Sequence, residues 1–235
     1  MKTQMKVAAF ACSMLFAGAA AAIQVTGTSN GSFAGLSNCD ASGLSRDCRI
    51  VDTSNGNNTQ VQWGSQSSIF NFVNPSTLTA QDVAISANTN ADDVRIGRLT
   101  WFNSATLGNE TPDLFRVNYS LTVAFTQPNA SSDTEVFNLT ITNPTNPPGD
   151  NISGMTLADL SNLSFNLNGV IVDDFKYFVT GGNSSFNNQV WFNPENNTSN
   201  LYITADFRNR VPEPATLALL GIGLVGAAGA SRRKK

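Results

Sequence analysis

The side chains in this sequence that could do chemistry are carboxylates, a pair of cysteines and a set of large aromatic rings. The carboxylates include two doublets, Asp92-Asp93 and Asp173-Asp174, and the scattered glutamates Glu110, Glu135 and Glu195. Two acids are enough to hydrolyse a glycosidic bond, one as general acid and the other as base or nucleophile. Neighbouring residues of a strand point to opposite faces, however, so neither doublet can act as a pair by itself. These acids are therefore read as solvated charges on loops and strand edges, and no catalytic residue is assigned. Histidine is absent. That removes the commonest general base and metal ligand together, and it excludes Ser-His-Asp and Cys-His sites. The chain is expected not to be an enzyme.

Too few thiols are present for a thiolate zinc site, so no metal site and no cofactor are assigned. Calcium is the one ion left open, because oxygen ligands are plentiful. The segment Asp52-Thr53-Ser54-Asn55-Gly56-Asn57 has the composition of a calcium loop. Its glycine stands fifth rather than sixth, so it is read as an Asn/Gly turn. The aromatics offer different chemistry. Trp63, Trp101 and Trp191 are candidates for stacking on sugar rings. In Trp101-Phe102 and Trp191-Phe192 adjacent rings fall on opposite faces of a strand, an arrangement that fits either a ligand platform on one face or two-sided burial in a sandwich.

The elements that must position these residues read as β. Along Leu114 to Phe125, Phe115, Val117, Tyr119, Leu121, Val123 and Phe125 share one face, and Arg116, Asn118, Ser120 and Thr122 share the other. That is period two, a half-buried strand. Phe137 to Ile141 and Leu201 to Phe207 alternate in the same way. Further strands are predicted at Val61 to Trp63, Ile69 to Val73, Val83 to Ile85, Val94 to Phe102, Leu163 to Leu167, Val170 to Val179 and Val190 to Phe192. One helical turn fits Thr156 to Asn162. Polar turns such as Pro128-Asn129 and Gly181-Gly182-Asn183 separate them. Many short strands without alternating helices predict an all-β domain, a β-sandwich or jelly roll.

Of 235 residues, 41% are hydrophobic and only 13% charged, with a net charge of −3, so the surface is solvated by neutral Asn, Ser and Thr. Such a chain has no electrostatic footprint for nucleic acid. The two ends differ from the rest. Lys2 and Lys6 precede an apolar stretch from Val7 to Phe16, and Ala20-Ala21-Ala22 offers a cleavage site before Ile23: a secretory signal peptide over residues 1–22, with Cys12 inside it. At the other end Val211-Pro212-Glu213-Pro214 leads into an apolar run from Ala215 to Ala230, closed by Arg232, Arg233, Lys234 and Lys235. The run is close to the shortest length that spans a bilayer as a helix, and the basic cluster holds its end in the cytoplasm. The exported domain is then residues 23–210 and the tail residues 211–235. Cys39 and Cys48 meet an oxidising compartment and are expected to form a disulfide, worth about 2–3 kcal/mol by loop entropy.

The order Val-Pro-Glu-Pro, glycine-rich span and basic end resembles the PEP-CTERM sorting signal of Gram-negative bacteria. The resemblance implies an exosortase as processing enzyme, recognising Pro212, Glu213 and Pro214. It implies transient anchoring in the inner membrane followed by residence at the cell surface or outside, in bacteria that make exopolysaccharide and biofilm. In the middle, Trp63-Gly64, Ile96 to Asn103 and Phe137-Asn138-Leu139-Thr140-Ile141 look like the choice-of-anchor exported domains, most like type K. Relatives would carry histidine where this chain has Trp101. The expected function is a structural or adhesive surface or matrix protein in contact with exopolysaccharide. The alternatives are a carbohydrate-binding module and, third, a glycoside hydrolase working with carboxylates alone.

Overall fold

Alternation along Leu114–Gln127 takes the form predicted for it: Phe115, Val117, Tyr119, Leu121, Val123 and Phe125 are all buried, and the intervening Arg116, Asn118, Ser120 and Thr122 face outward. The structure is a computed structural model that describes residues 22–39, 48–53, 59–64, 75–105, 114–144 and 149–210. Residues 1–21 of the expected signal peptide (1–22), the predicted strand Ile69 to Val73, residues 54–57 of the Asn/Gly turn, Glu110 and the tail 211–235 lie outside the described residues.

In chain order the described strands are β1 (Gln24–Ser37), β2 (Cys48–Val51), β3 (Gln60–Trp63), β4 (Ser76–Gln81), β5 (Val83–Asn88), β6 (Ala91–Asn103) and β7 (Leu114–Gln127). They continue with β8 (Ser131–Thr142), β9 (Asp150–Ser153), β10 (Val170–Thr180), β11 (Ser185–Asn187), β12 (Val190–Asn193) and β13 (Asn197–Asn209), with the short helix α1 (Leu157–Leu160) between β9 and β10. They form two antiparallel sheets. One has seven strands in the order β11-β12-β9-β8-β7-β1-β5, the other six in the order β10-β13-β6-β4-β3-β2. The inner faces of both sheets meet in a single core, in which Phe125 of the first touches Phe207 of the second with ring centroids 5.7 Å apart. The fold is all-β, two sheets sharing one core, as predicted.

Strand β1 carries no clear alternation and was not predicted. It is rich in glycine and serine, and it pairs with β5 on one side and β7 on the other. Glycine is needed here because the neighbouring strand β7 crowds both Gly27 and Gly31, and Ala80 of the facing sheet crowds Gly31 as well. A Cβ on Gly31 would stand 2.6 Å from the Tyr119 ring and 2.8 Å from Ala80, and one on Gly27 would stand 2.4 Å from the Ala124 carbonyl oxygen.

The strand predicted at Leu163 to Leu167 is not one. Leu163 and Leu167 do point into the core, so the periodicity is real. What is missing is a backbone partner. Ser164 N donates to Asp133 Oδ2 (2.8 Å), Asn166 N to Ser131 Oγ (3.0 Å) and Asn168 N to Asn129 Oδ1 (2.7 Å). Side chains beside the start of β8 thus replace a ladder, satisfying backbone donors as an edge must. The predicted helical turn is α1, closed by a capping box between Thr156 and Asp159.

Cys39 follows β1 and Cys48 opens β2, with Cα atoms 5.6 Å apart in a disulfide. The bridge therefore clips one sheet to the edge strand of the other.

Candidate functional site

The three tryptophans proposed for sugar stacking line the core. Trp63, Trp101 and Trp191 are each exposed by 1% or less. Their rings pack on one another, Trp63 to Trp101 at 6.1 Å and Trp101 to Trp191 at 5.1 Å, and Trp63 meets Phe115 at 5.6 Å. A ring must be open to solvent to receive a sugar, so the stacking role is corrected for all three. Indoles are large enough to fill the space between two sheets, and that is how they are used here. The outward members of the two doublets are Phe102 and Phe192, both half-buried.

Below the tryptophans lies a polar layer. Asn103 Nδ2 donates to the Asn193 carbonyl (2.8 Å), Asn193 Nδ2 to the Trp101 carbonyl (3.2 Å), and Asn197 Nδ2 to Asn193 Oδ1 (2.6 Å). These bonds tie the β12–β13 turn to β6. Two acids lie in this region. Asp150 is 0% exposed and accepts from Trp63 Nε1 at 3.4 Å. Burial, reinforced by the Glu195 charge and opposed by the Trp63 bond, pushes its pKa up to about 8. Burial likewise raises Glu195 to about 7. Two carboxylates thus influence one another, as a hydrolase would require, but Asp150 is sealed between the sheets.

The acid doublets behave differently from the strict alternation expected of them. A β-bulge lets adjacent residues depart from it, and both doublets sit on one. Asp93 and Asp174 have φ of 53° and 52°, beside register shifts in the β6–β13 and β10–β13 pairs. The result is one ion network on the outer face of the six-stranded sheet. Lys176 Nζ bridges Asp93 (3.1 Å) and Asp174 (3.0 Å). Arg208 bridges Asp173 (3.2 Å) and Asp206 (3.1 Å). Asp93 N donates to Asp206 Oδ1 at 2.9 Å. That bond is the main reason the Asp206 carboxyl is held below the usual range, with Arg208 assisting. The hydrogen bonds that Lys176 donates to Asp174 and Asp93 hold its ammonium above its usual value.

Beside this network the same face carries the aromatics that sequence reasoning missed. Phe178 on edge strand β10 is 56% exposed. Its register partner on β13 is Tyr202, whose partner on β6 is Arg98 and, one strand further, Gln81 on β4. The Phe178 and Tyr202 rings are stacked, with centroids 6.5 Å apart and planes 27° apart. Arg95 lies 4.2 Å and Arg98 5.6 Å from the Tyr202 ring centre, within cation–π range. A depression of about 390 Å³ opens beside Phe178, lined by Asp93, Arg95, Lys176, Tyr177, Phe178 and Thr204. Tyr202 was legible as an outward residue between Leu201 and Ile203. Nothing in the sequence says that Phe178, Tyr202 and Arg98 fall in one row, because that depends on the pairing of β10, β13 and β6.

Among the described residues no group of three or more carboxylates, cysteines or histidines could hold a metal ion. No described helix is long and apolar enough to cross a membrane, and the apolar run from Ala215 lies outside the described residues. The decisive comparison concerns that end of the chain. Residues 210–234 match the PEP-CTERM protein-sorting motif. The sorting motif contains Val211, Pro212, Glu213 and Pro214 and the basic Arg232, Arg233 and Lys234, with Lys235 immediately after it. It marks the protein as exported, with a membrane-anchoring C-terminal sorting signal, and as a substrate of exosortase. No curated protein matches the chain.

Proposed function

We propose that the chain is a non-enzymatic surface or matrix protein, structural or adhesive in role, which the sorting motif delivers outside the cell to hold exopolysaccharide. The observation that carries the polysaccharide contact is the exposed Phe178 ring, stacked on the half-buried Tyr202, on the outer face of the six-stranded sheet. The open Phe178 ring offers an apolar surface to the C–H face of a sugar, and a sheet edge leaves room for a polymer to continue past it. The choice-of-anchor resemblance supports surface residence and rests on Trp63-Gly64 and the β6 and β8 segments. In this chain Trp63, Trp101, Phe137, Leu139 and Ile141 are core residues. The carbohydrate-binding module is the same reading narrowed to one dedicated ligand. The hydrolase reading has Asp150 and Glu195 in its favour, and the burial of Asp150 against it.

The test is to recover the protein from its host and analyse cells, membranes and medium separately by intact mass and terminal peptides, then to measure retention on the host's own polysaccharide. A form starting near Ile23, ending near Pro212 to Pro214 and retained by the polysaccharide is the expected result. A form that keeps residues 215–235 in the membrane and ignores the polysaccharide would overturn the proposal.

A further inference from the structure

The cations on the outer face of the six-stranded sheet fall into two groups. Lys176 and Arg208 each touch two carboxylates. Arg95 and Arg98 touch none among the described residues. Arg98 is steered instead by a neutral group: its Nε (3.2 Å) and Nη2 (2.8 Å) both donate to Asn200 Oδ1, which also accepts from Thr100 Oγ1 at 2.9 Å. A guanidinium has five N–H donors, so most of those on Arg98 stay uncommitted. Arg95 packs over Tyr202 without a carboxylate to neutralise it. The chain has more acids than bases and a net charge of −3. Two arginines without a carboxylate partner therefore stand beside the exposed Phe178 and the half-buried Tyr202, and they offset the neighbouring network, in which two cations hold four aspartates.

We infer that the row Phe178–Tyr202–Arg98, with Arg95 beside it, binds a polysaccharide that carries carboxylate groups. The rings take the apolar face of a sugar and the guanidiniums take its carboxylates. Fork-shaped guanidinium donors suit carboxylate oxygens in two-point contact. The row continues to Gln81 on β4. With strands about 4.8 Å apart, four strands cover roughly 14 Å, room for about three sugar rings. Asp93 also lines the depression and shares Lys176 with Asp174, so Arg95 and Arg98 are the cations left to meet the ligand's charge. The inference rests on the polysaccharide reading above and adds the charge of the ligand.

The test uses the full-length chain in mild detergent, titrated with polygalacturonate and with the same polymer fully methyl-esterified, which keeps the sugar and removes the charge. The expected result is at least tenfold tighter binding of the acid form. That preference should collapse in Arg95→Gln/Arg98→Gln, recover only in part in Arg95→Lys/Arg98→Lys, which restores the charge without the fork, and weaken as salt is raised. Phe178→Ala should weaken binding of both forms. Circular dichroism of each variant reports folding. If both polymers bind equally and the arginine variants change nothing, the charge inference falls while polysaccharide binding stands. If neither polymer binds and the host's own polysaccharide is also ignored, both fall.

Discussion

The two sheets share one core and turn opposite characters to solvent. Across β1, β7 and β8 the seven-stranded sheet shows rows of small polar groups: Asn30, Thr122 and Thr134 are in register, as are Ala34, Asn118 and Asn138. The Thr122 and Thr134 hydroxyls bond each other at 2.8 Å, and Thr26 and Thr126 do so at 2.9 Å. Such a face satisfies itself and water. Across β10, β13 and β6 the six-stranded sheet shows stacked rings, two uncommitted arginines and a six-member ion network. The core made by both sheets would be equally well covered by either surface. The proposed polysaccharide contact uses the rings and arginines of this second face.

The sharpest way to break this comparison is to remove the rings. Aromatic anchors that become desolvated on binding are worth about 2 kcal/mol each, so Phe178→Ala with Tyr202→Ala, about 4 kcal/mol together, should weaken retention on the host polysaccharide by roughly a thousandfold. Thr122→Ala with Thr134→Ala, on the other face, should leave it unchanged. Equal effects on both faces would mean that the ligand does not distinguish them.

Next is the link between the sheets. Reducing Cys39–Cys48, or replacing both by serine, should lower the unfolding free energy by about 2–3 kcal/mol. Because Cys48 opens edge strand β2, amide exchange should rise first in β2 and β3 of the six-stranded sheet, while β7 and β8 stay protected. Uniform loss of protection would show that the bridge stabilises the domain only as a whole.

How much of this was readable beforehand depended on where the physical signal lay. Strands with one buried face announce themselves by alternation, so β7, β8 and β13 were legible. Strand β1 was not, since its fit depends on Gly31 lying under Tyr119, a contact between distant parts of the chain. The segment Leu163 to Leu167 had the right alternation and the wrong partner, because periodicity reports burial and not hydrogen bonding. For the site, the sequence pointed to the tryptophans on ring size alone, and size is also what makes a residue a core filler. Two bulges, at Asp93 and Asp174, gathered acids that simple alternation had separated.

A smaller effect tests the ion network. Asp206 is 3% exposed and accepts the Asp93 backbone N–H, while facing Asp173 directly across the ladder. Like charges opposite one another repel, and Arg208 between them offsets this. Asp206→Asn should cost about 1–2 kcal/mol at pH 7 through the lost charge-assisted bond. With its folded pKa depressed, Asp206 contributes stability above the unfolded value near 4 and loses it as pH falls through the folded value. The variant should therefore lose the acid side of the wild-type stability curve.

The acid between the sheets should give the opposite slope. Asp150 has its folded pKa raised to about 8, chiefly by burial, against an unfolded value near 4. Between those limits the folded chain holds a proton that the unfolded chain has released. Stability must then fall as pH rises through that window, and level off above about pH 8. Glu195, raised to about 7, acts in the same direction. Asn at position 150 has no proton to lose, so Asp150→Asn should flatten the decline and gain roughly 1 kcal/mol per pH unit on the wild type between pH 5 and 8. The check is urea unfolding at about pH 3, 5 and 8 for wild type, Asp150→Asn and Asp206→Asn: the lower interval reads Asp206 and the upper one Asp150. Slopes of opposite sign removed by the two substitutions would separate a paired carboxylate on the outer face from a neutral one sealed in the core. A wild-type curve unchanged by Asp150→Asn would mean that Asp150 is ionised in the fold, with a cation or donor set stabilising it there.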